Sequence, residues 1–423
     1  MGGAVSARRP VWLTLPVLTV SVLSVAAGIG QFAVTTVIGT VAADFGEPTT
    51  GDEALAQIGL PVTTLGIALS VIRLASLLSL PLAAQADRFG RRSVLLTMAA
   101  AGLALSALSA LAPTFWFYVV LVALARPALS AVNALAGVVA AEEATSRDRS
   151  AALALIAAAY GLGAGIVAVG RGLLPGQPDW RLVMGFAVIP LLLLPLLARR
   201  IREPRIASDH LGREHHGPVG LPGRVPRRYL GRVVLLAVLT GTLTLATGPG
   251  FTLLFVYGEQ ILGASPFYLS MLVLGAGPTG LVGLLIGRWA ADRFGRTLTA
   301  TVSMAATGGA IALAYSGDTL ELSIGYLLAL ATSSAFAPPT GALVAELVPT
   351  RIRATVAGWE TIAGVLGAAI GLLSFGVLAD LTGGFRSAAI LVGVVVAVVS
   401  LGFWYLPETK GTELEELEEP AEG

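Results

Sequence analysis

The chain has 423 residues, 55% hydrophobic and only 13% charged, with a net charge of +1 and a mean hydropathy of +0.81. Soluble proteins carry about 25% charged residues, so a bilayer must serve as solvent for much of this chain. The absence of cysteine excludes disulfides, thiolate metal sites and cysteine nucleophiles, and the near-neutral charge singles out no partner class.

From the N-terminus, Arg8 and Arg9 precede an apolar run from Val11 to about Val41. A signal peptide has a shorter apolar core, so this run reads as a first membrane span that is retained. A spanning helix takes about 20 mainly apolar residues. Breaks at charged clusters and Gly/Pro turns leave segments centred near Ile29, Leu69, Ala104, Leu129, Gly161, Pro190, Leu243, Leu274, Met304, Ala331, Leu366 and Val395, which predicts twelve spans.

The connections alternate in charge. One set holds Arg88, Arg91 and Arg92, then Arg147 and Arg149, then Arg199 through Arg232, then Arg293 and Arg296, then Arg351 and Arg353. The other holds Asp44, Glu47, Asp52, Glu53, Glu259, Asp318, Glu321 and Asp380, with Arg171, Arg181 and Arg386 as its few cations. Short arginine-rich loops stay cytoplasmic, so both termini and the middle loop are expected inside a plasma membrane. That requires an even number of spans. The middle loop, 199–232, carries all three histidines, His210, His215 and His216, and reads as a solvated linker rather than a metal site. The acidic stretch 407–423 reads as a solvated tail. The expected organisation is a six-helix bundle at 1–198, the linker, a second bundle at 233–406, and the tail.

Ala86-Asp87-Arg88-Phe89-Gly90-Arg91 follows the second span, and the same string recurs as Ala291-Asp292-Arg293-Phe294-Gly295-Arg296 after the eighth, 205 residues later. Glu142 with Arg149, seven residues apart after the fourth span, is matched by Glu346 with Arg353 after the tenth. Two motif pairs in register indicate a duplicated six-span unit.

The string resembles the loop signature of the major facilitator superfamily, Gly-x-x-x-Asp-Arg-x-Gly-Arg-Arg between spans two and three. Span number, orientation and duplication extend the resemblance along the whole chain. It implies an all-α membrane fold of twelve helices in two pseudo-symmetric bundles. The leading glycine of the signature is replaced by Ala83 in the first copy and Arg288 in the second, with Gly287 one place off, so the second loop is expected to pack more loosely. The resemblance also implies that Asp87 faces the start of span eleven near Ala354 and Thr355, and Asp292 the start of span five near Ser150. There an aspartate would complement the helix dipole and hold the cytoplasmic side shut. Gly90 and Gly295 suit a tight turn. The candidate gating set is Asp87, Arg88, Gly90, Arg91, Glu142 and Arg149, with Asp292, Arg293, Gly295, Arg296, Glu346 and Arg353; the same arginines also fix topology.

Ionisable groups at membrane depth are costly and mark pathways. Arg73 lies about 21 Å from the arginine-rich face, Arg126 about 24 Å and Glu360 about 10 Å, at 1.5 Å per helical residue. Gly364, Gly367 and Gly371 share the face of Glu360, so that face is expected against a neighbouring helix. Two readings stand for Glu360: a proton carrier, or a structural partner for an arginine. Arg126 and Asn133 share one face of span four; the resemblance adds that family members use a span-four arginine for substrate or proton coupling. Gln31 stands mid-span in helix one, where many proton-coupled relatives carry an aspartate. Tyr160 opens a glycine-rich stretch in span five that lacks the Gly-Pro of drug/proton antiporters in the family. In span seven, Thr240, Thr242 and Thr244 precede Gly248-Pro249-Gly250, read as a helix break, as is Pro338-Pro339 in span ten. Glu346-Leu-Val-Pro-Thr-Arg351 and Pro407-Glu-Thr-Lys-Gly411 resemble patterns of sugar porters and metabolite/proton symporters.

The expectation is a non-enzymatic secondary transporter working by alternating access around Gln31, Arg73, Arg126, Asn133, Tyr160 and Glu360. Two buried arginines against one glutamate favour a small anionic solute, coupled to protons, with uniport as the alternative. No cofactor, metal or nucleic acid is called for; the expected partners are solute, protons and lipid, and the expected state is a monomer. The alternatives are multidrug efflux by drug/proton antiport and a transporter-like solute sensor.

Overall fold

The computed structural model describes residues 14–46, 54–145, 148–176, 178–200 and 223–411. Arg8, Arg9, Glu47, Asp52, Glu53, Arg147, the three histidines and all but the first residues of the acidic tail lie outside the described residues. Hydrocarbon offers backbone groups no partners, so spanning segments must close their hydrogen bonds internally as helices. Among the described residues twelve helices are long and apolar enough to cross a membrane: α1 (Leu15–Phe45), α2 (Val62–Phe89), α3 (Arg91–Leu111), α4 (Phe115–Glu143), α5 (Arg149–Leu173), α6 (Trp180–Ala198), α7 (Arg227–Thr252), α8 (Pro266–Phe294), α9 (Arg296–Ala314), α10 (Thr319–Leu347), α11 (Thr350–Thr382) and α12 (Phe385–Tyr405). Each contains one predicted centre.

The chain divides into two compact units. The first takes Met1–Thr36, Leu78–Gly170 and Pro178–Gly220; the second takes Val37–Leu77, Arg171–Gln177 and Leu221–Gly423. The division falls inside α1, α2 and α5. In the first unit, Val20, Leu23 and Ala27 of α1 pack with Leu95, Leu103, Leu129, Val132 and Ala136 of α3 and α4. Gly163 of α5 closes on the backbone of Val25 and Gly28 of α1, so one glycine of the Tyr160–Gly165 stretch is a helix contact, whereas Gly161 has nothing within 4 Å.

In the second unit, Gly367 and Gly371 of α11 meet the carbonyls of Gly241 and Leu245 on α7, so the glycine face read from the sequence is a contact with α7. The expected break at Gly248-Pro249-Gly250 does not occur, because α7 runs unbroken through Pro249 to Thr252. Pro249 has no N–H to give the Leu245 carbonyl, and that oxygen instead faces Gly371. Tyr315 donates its hydroxyl proton to the Gly250 carbonyl at 2.9 Å. α10 likewise continues through Pro338 and Pro339. The real irregularity comes after α7, in a six-residue π-helical turn at Val256–Ile261.

The second copy of the repeated string is not packed more loosely on account of Arg288. That side chain is exposed, and Gly283 and Gly287 bring α8 against the Ala331 and Ala335 backbone of α10. The one-place shift of the glycine puts it on the contact face. Gly90 and Gly295 both have positive φ, 85° and 106°, as the tight turns require.

A helix start leaves four N–H groups unsatisfied. Thr114, Asp179, Ser265 and Asp318 cap α4, α6, α8 and α10 with their own side chains. α9 begins after Gly295, which has no side chain to offer. Glu408 serves it from 112 residues away, accepting from the Arg296 N–H at 2.8 Å, the Thr297 N–H at 3.1 Å and Thr297 Oγ1 at 2.6 Å. Lys410 Nζ donates to the Arg293 carbonyl at 2.8 Å. The first residues of the tail therefore clamp the loop between α8 and α9 rather than being merely solvated. Partial burial pushes the Glu408 carboxyl up, but these hydrogen bonds together hold it below the usual glutamate range.

This packing and capping set three outcomes. Gly277→Ala, with nothing within 4 Å, should leave thermal stability in detergent level or raised by about 0.5–1 kcal/mol. Gly287→Ala should lower it by about 1–3 kcal/mol through overpacking. Glu408→Gln should cost about 0.5–2 kcal/mol as a lost cap. Because the folded carboxyl titrates below its unfolded value, that deficit should be constant above about pH 4.3 and close as pH falls below it, read as the melting difference between wild type and variant.

Candidate functional site

At the arginine-rich end the two halves build the same charge network. Asp87 and Arg91 pair at 3.5 Å across one turn, and Arg91 also pairs with Glu142. Asp292 and Arg296 pair at 3.4 Å, and Arg296 reaches Glu346 at 3.6 Å. The last arginine of each repeated string thus takes the glutamate that ends the fourth or tenth span. The seven-residue spacing of Glu142 and Arg149 does not make them partners: Arg149 Nε donates to the Ala141 carbonyl at 3.1 Å. Arg353 makes no ion pair with Glu346. Arg88 lies beside the Phe89 ring, 5.9 Å from its centroid, and the Arg293 carbonyl receives Lys410.

A second set sits at membrane depth within the first unit. α1 and α4 run antiparallel, and the polar residues on each recur at a spacing of seven. Ser24 donates to Asn133 Oδ1. Seven residues further along α1 and seven back along α4, Gln31 and Arg126 line one pocket with Gly30, Ser106, Ala125 and Leu129. Gln31 is 5% exposed, and its Oε1 accepts from the Tyr160 hydroxyl of α5 at 3.2 Å. With its oxygen engaged, Gln31 has its NH₂ donors left for the pocket. Ser106 gives its proton to the Gly30 carbonyl at 3.3 Å. Arg126 is half-buried, and its Nε has no hydrogen-bond partner among the described residues. The pocket therefore presents donors and a cation.

Arg73 and Glu360 belong to the second unit. Ser70 of α2 donates to the Ala369 carbonyl of α11 at 2.6 Å. That register sets Arg73 level with about Leu366, and Glu360 about 9 Å further along α11 at 1.5 Å per residue. Both are half-buried. Gln31, Asn133, Tyr160 and Arg126 form one cluster; Arg73 and Glu360 stand apart from each other on facing helices.

Sequence reasoning missed a third set, at the arginine-poor end of the second unit. Arg171, in the last turn of α5, is 0% exposed and binds Glu259 in the π-helical turn through both terminal guanidinium nitrogens, Nη2 to Oε2 at 2.6 Å. Its guanidinium also lies 5.4 Å from the Phe255 ring centroid. Burial pushes the Glu259 carboxyl up, opposed by the hydrogen bond and charge of Arg171. Asp380, at the end of α11, accepts from the Val62 N–H at 3.0 Å and the Thr63 N–H at 2.7 Å. Arg171 and Glu259 read as ordinary loop charges in the sequence. The available signal was an arginine between two glycines, Gly170 and Gly172, on the otherwise acidic side.

The Major Facilitator Superfamily model matches residues 20–290 and 262–422. The E. coli xylose transporter XylE, solved inward-open, is 17% identical and superposes with a TM-score of 0.72, covering 95% of this chain and 98% of its own. A bacterial homologue of the human lysosomal transporter Spinster, inward-facing and occupied, is 14% identical, with a TM-score of 0.71 and coverage of 96% and 98%. A variant of the nucleoside transporter NupG is 13% identical, with a TM-score of 0.70 and coverage of 93% and 99%. No curated protein sequence matches the chain. These identities carry the fold alone. With the family match along most of its length, twelve spans and a duplicated loop network, the chain belongs to the major facilitator superfamily of membrane transporters.

Proposed function

We propose that this secondary transporter moves a small organic anion by alternating access, coupled to protons, as a monomer in the plasma membrane with both termini cytoplasmic. The observation that carries the reading is Arg126: a cation at membrane depth, in a pocket with the Gln31 amide, with no carboxylate partner among the described residues. A charge held away from water wants a counter-charge, and a carboxylate or phosphate on the solute supplies one. A guanidinium offers two parallel N–H groups to such an anion, and the Gln31 NH₂ adds a donor. Tyr160 acts as a positioning residue, since its hydrogen bond sets which end of the Gln31 amide faces the solute.

Glu360 is the proton carrier of this reading. It lies in a span, is half-buried, and has no hydrogen-bond or ion-pair partner among the described residues, so it can gain or lose a proton without breaking a contact. Gln31 cannot titrate, which leaves no carboxylate in the first-unit pocket to do so. The cytoplasmic placement of the termini is supported by the arginine-rich connections at one end only.

Uptake into proteoliposomes tests this. Across a panel of mono- and dicarboxylates, phosphate esters, xylose and nucleosides, an anion should be favoured, driven by an inward proton gradient. Arg126→Ala should lower kcat/KM for that anion about 10–100-fold, the loss of a charge-assisted hydrogen bond, with Arg126→Lys recovering part. Glu360→Gln should abolish accumulation driven by the gradient while leaving solute exchange in place. Preference for the neutral solutes, or undiminished anion uptake by Arg126→Ala, contradicts the reading.

A further inference from the structure

α1 and α4 meet in register at two levels. Ser24 bonds Asn133 at one, and Gln31 lines a pocket with Arg126 at the other. Seven residues separate the levels on each helix, about 10 Å at 1.5 Å per residue. Between them, Ser130 stands four residues after Arg126 and three before Asn133, so the three share one face of α4. All three are half-buried, whereas Leu129, Val132 and Leu135 beside them are sealed in the core. The two levels are built alike. Ser24, 0% exposed, gives its proton to Asn133 Oδ1, as Tyr160 does to Gln31 Oε1 at 3.2 Å. An amide whose oxygen is engaged has only its N–H groups left. Asn133 makes no other hydrogen bond among the described residues, so its NH₂ is a donor at membrane depth with no acceptor. The levels differ in charge. Among the described residues of the first unit, every charged side chain except that of Arg126 stands at or near a helix end.

We propose that the Ser24–Asn133 level is a second solute station, and that the solute is an extended monoanion whose far end is a neutral acceptor such as a carbonyl. The second station rests on the anion reading above and narrows its solute class. The anionic group takes Arg126 and the Gln31 NH₂. The far end takes the Asn133 NH₂, about 10 Å nearer the arginine-rich end. A second anionic group there would lie at membrane depth without a counter-charge. An ammonium group there would meet another donor, because Ser24 occupies the amide oxygen. A carbonyl has only lone pairs and matches the one group that is free. Ser24 is a positioning residue, since its hydroxyl decides which end of the Asn133 amide meets the solute.

Equilibrium binding to the purified full-length protein in detergent tests this, with decanoate, 9-oxodecanoate, 9-aminononanoate, pentanoate and 4-oxopentanoate as probes. In the unchanged protein 9-oxodecanoate should bind about threefold to tenfold tighter than decanoate, the gain of one hydrogen bond. The short pair should show no such gain, because its ketone does not reach Asn133. Asn133→Ala should bring 9-oxodecanoate down to the level of decanoate. Ser24→Ala frees the amide to turn, so it should narrow the preference for 9-oxodecanoate over 9-aminononanoate, and Ser24→Thr should restore that preference. A merely structural loss would weaken all the probes together and leave these ratios alone. No gain from the distant ketone in the unchanged protein, or a gain that Asn133→Ala preserves, overturns the second station. Binding of no carboxylate, or binding that Arg126→Ala leaves intact, overturns the anion reading beneath it instead, and the station with it.

Discussion

The constraint on which the rest depends is the start of each helix. A span entering hydrocarbon carries its internal hydrogen bonds with it, but its first N–H groups need acceptors from somewhere. Four spans, α4, α6, α8 and α10, solve this locally with Thr114, Asp179, Ser265 and Asp318. Among the described helix starts, those after Pro61, Gly90, Pro226, Gly295, Pro349 and Gly384 have no side-chain cap of their own, and two of these, α2 and α9, are capped from far along the chain. At these two the chain recruits a carboxylate more than a hundred residues away, Asp380 for α2 and Glu408 for α9. A capping bond made in this way is also a tertiary bond, so local helix chemistry becomes long-range architecture. At α9 it pins the second loop string to the end of the chain. At α2 it ties helices from opposite halves of the duplication.

Small residues supply the second layer of order. In a bilayer, apolar contact with lipid is about as good as contact with protein, so close backbone approach has to select the helix pairs. Gly163 does this for α1 and α5, Gly287 for α8 and α10, and Gly371 for α7 and α11. The last case joins two features that look unrelated in sequence. Pro249 frees the Leu245 carbonyl, and only a residue without a side chain can sit against that oxygen. The helix continues because a neighbour accommodates the vacancy.

Much of this is readable from the amino-acid sequence for definite reasons. Twelve apolar runs, the alternation of loop charge and a string repeated after 205 residues are one-dimensional signals, and spans, fold and family follow from them. Gln31, Asn133, Tyr160 and Arg126 stand out because polar groups are rare at that depth, and all four lie in one cluster of the first unit. What failed depended on partners distant in sequence. Glu142 lies seven residues before Arg149 in the sequence, yet bonds Arg91, because the turn at Gly90 aims that arginine across to α4. Gly248-Pro249-Gly250 has the composition of a break, but α7 continues through it, with the freed Leu245 carbonyl lying against Gly371. Arg171, Glu259 and Asp380 lie at span ends where charges are ordinary, so nothing local distinguishes them from solvated loop residues.

Capping in trans therefore decides which helix ends stay together, and pulsed electron–electron distance measurement tests this most directly. Leu173, at the end of α5, and Leu381, at the end of α11, are exposed and can each be replaced by a spin-labelled cysteine in the cysteine-free chain. The account predicts one compact distance distribution in the otherwise unchanged protein and an added longer-distance population when Asp380→Asn is introduced. A distribution that Asp380→Asn leaves unaltered would contradict it.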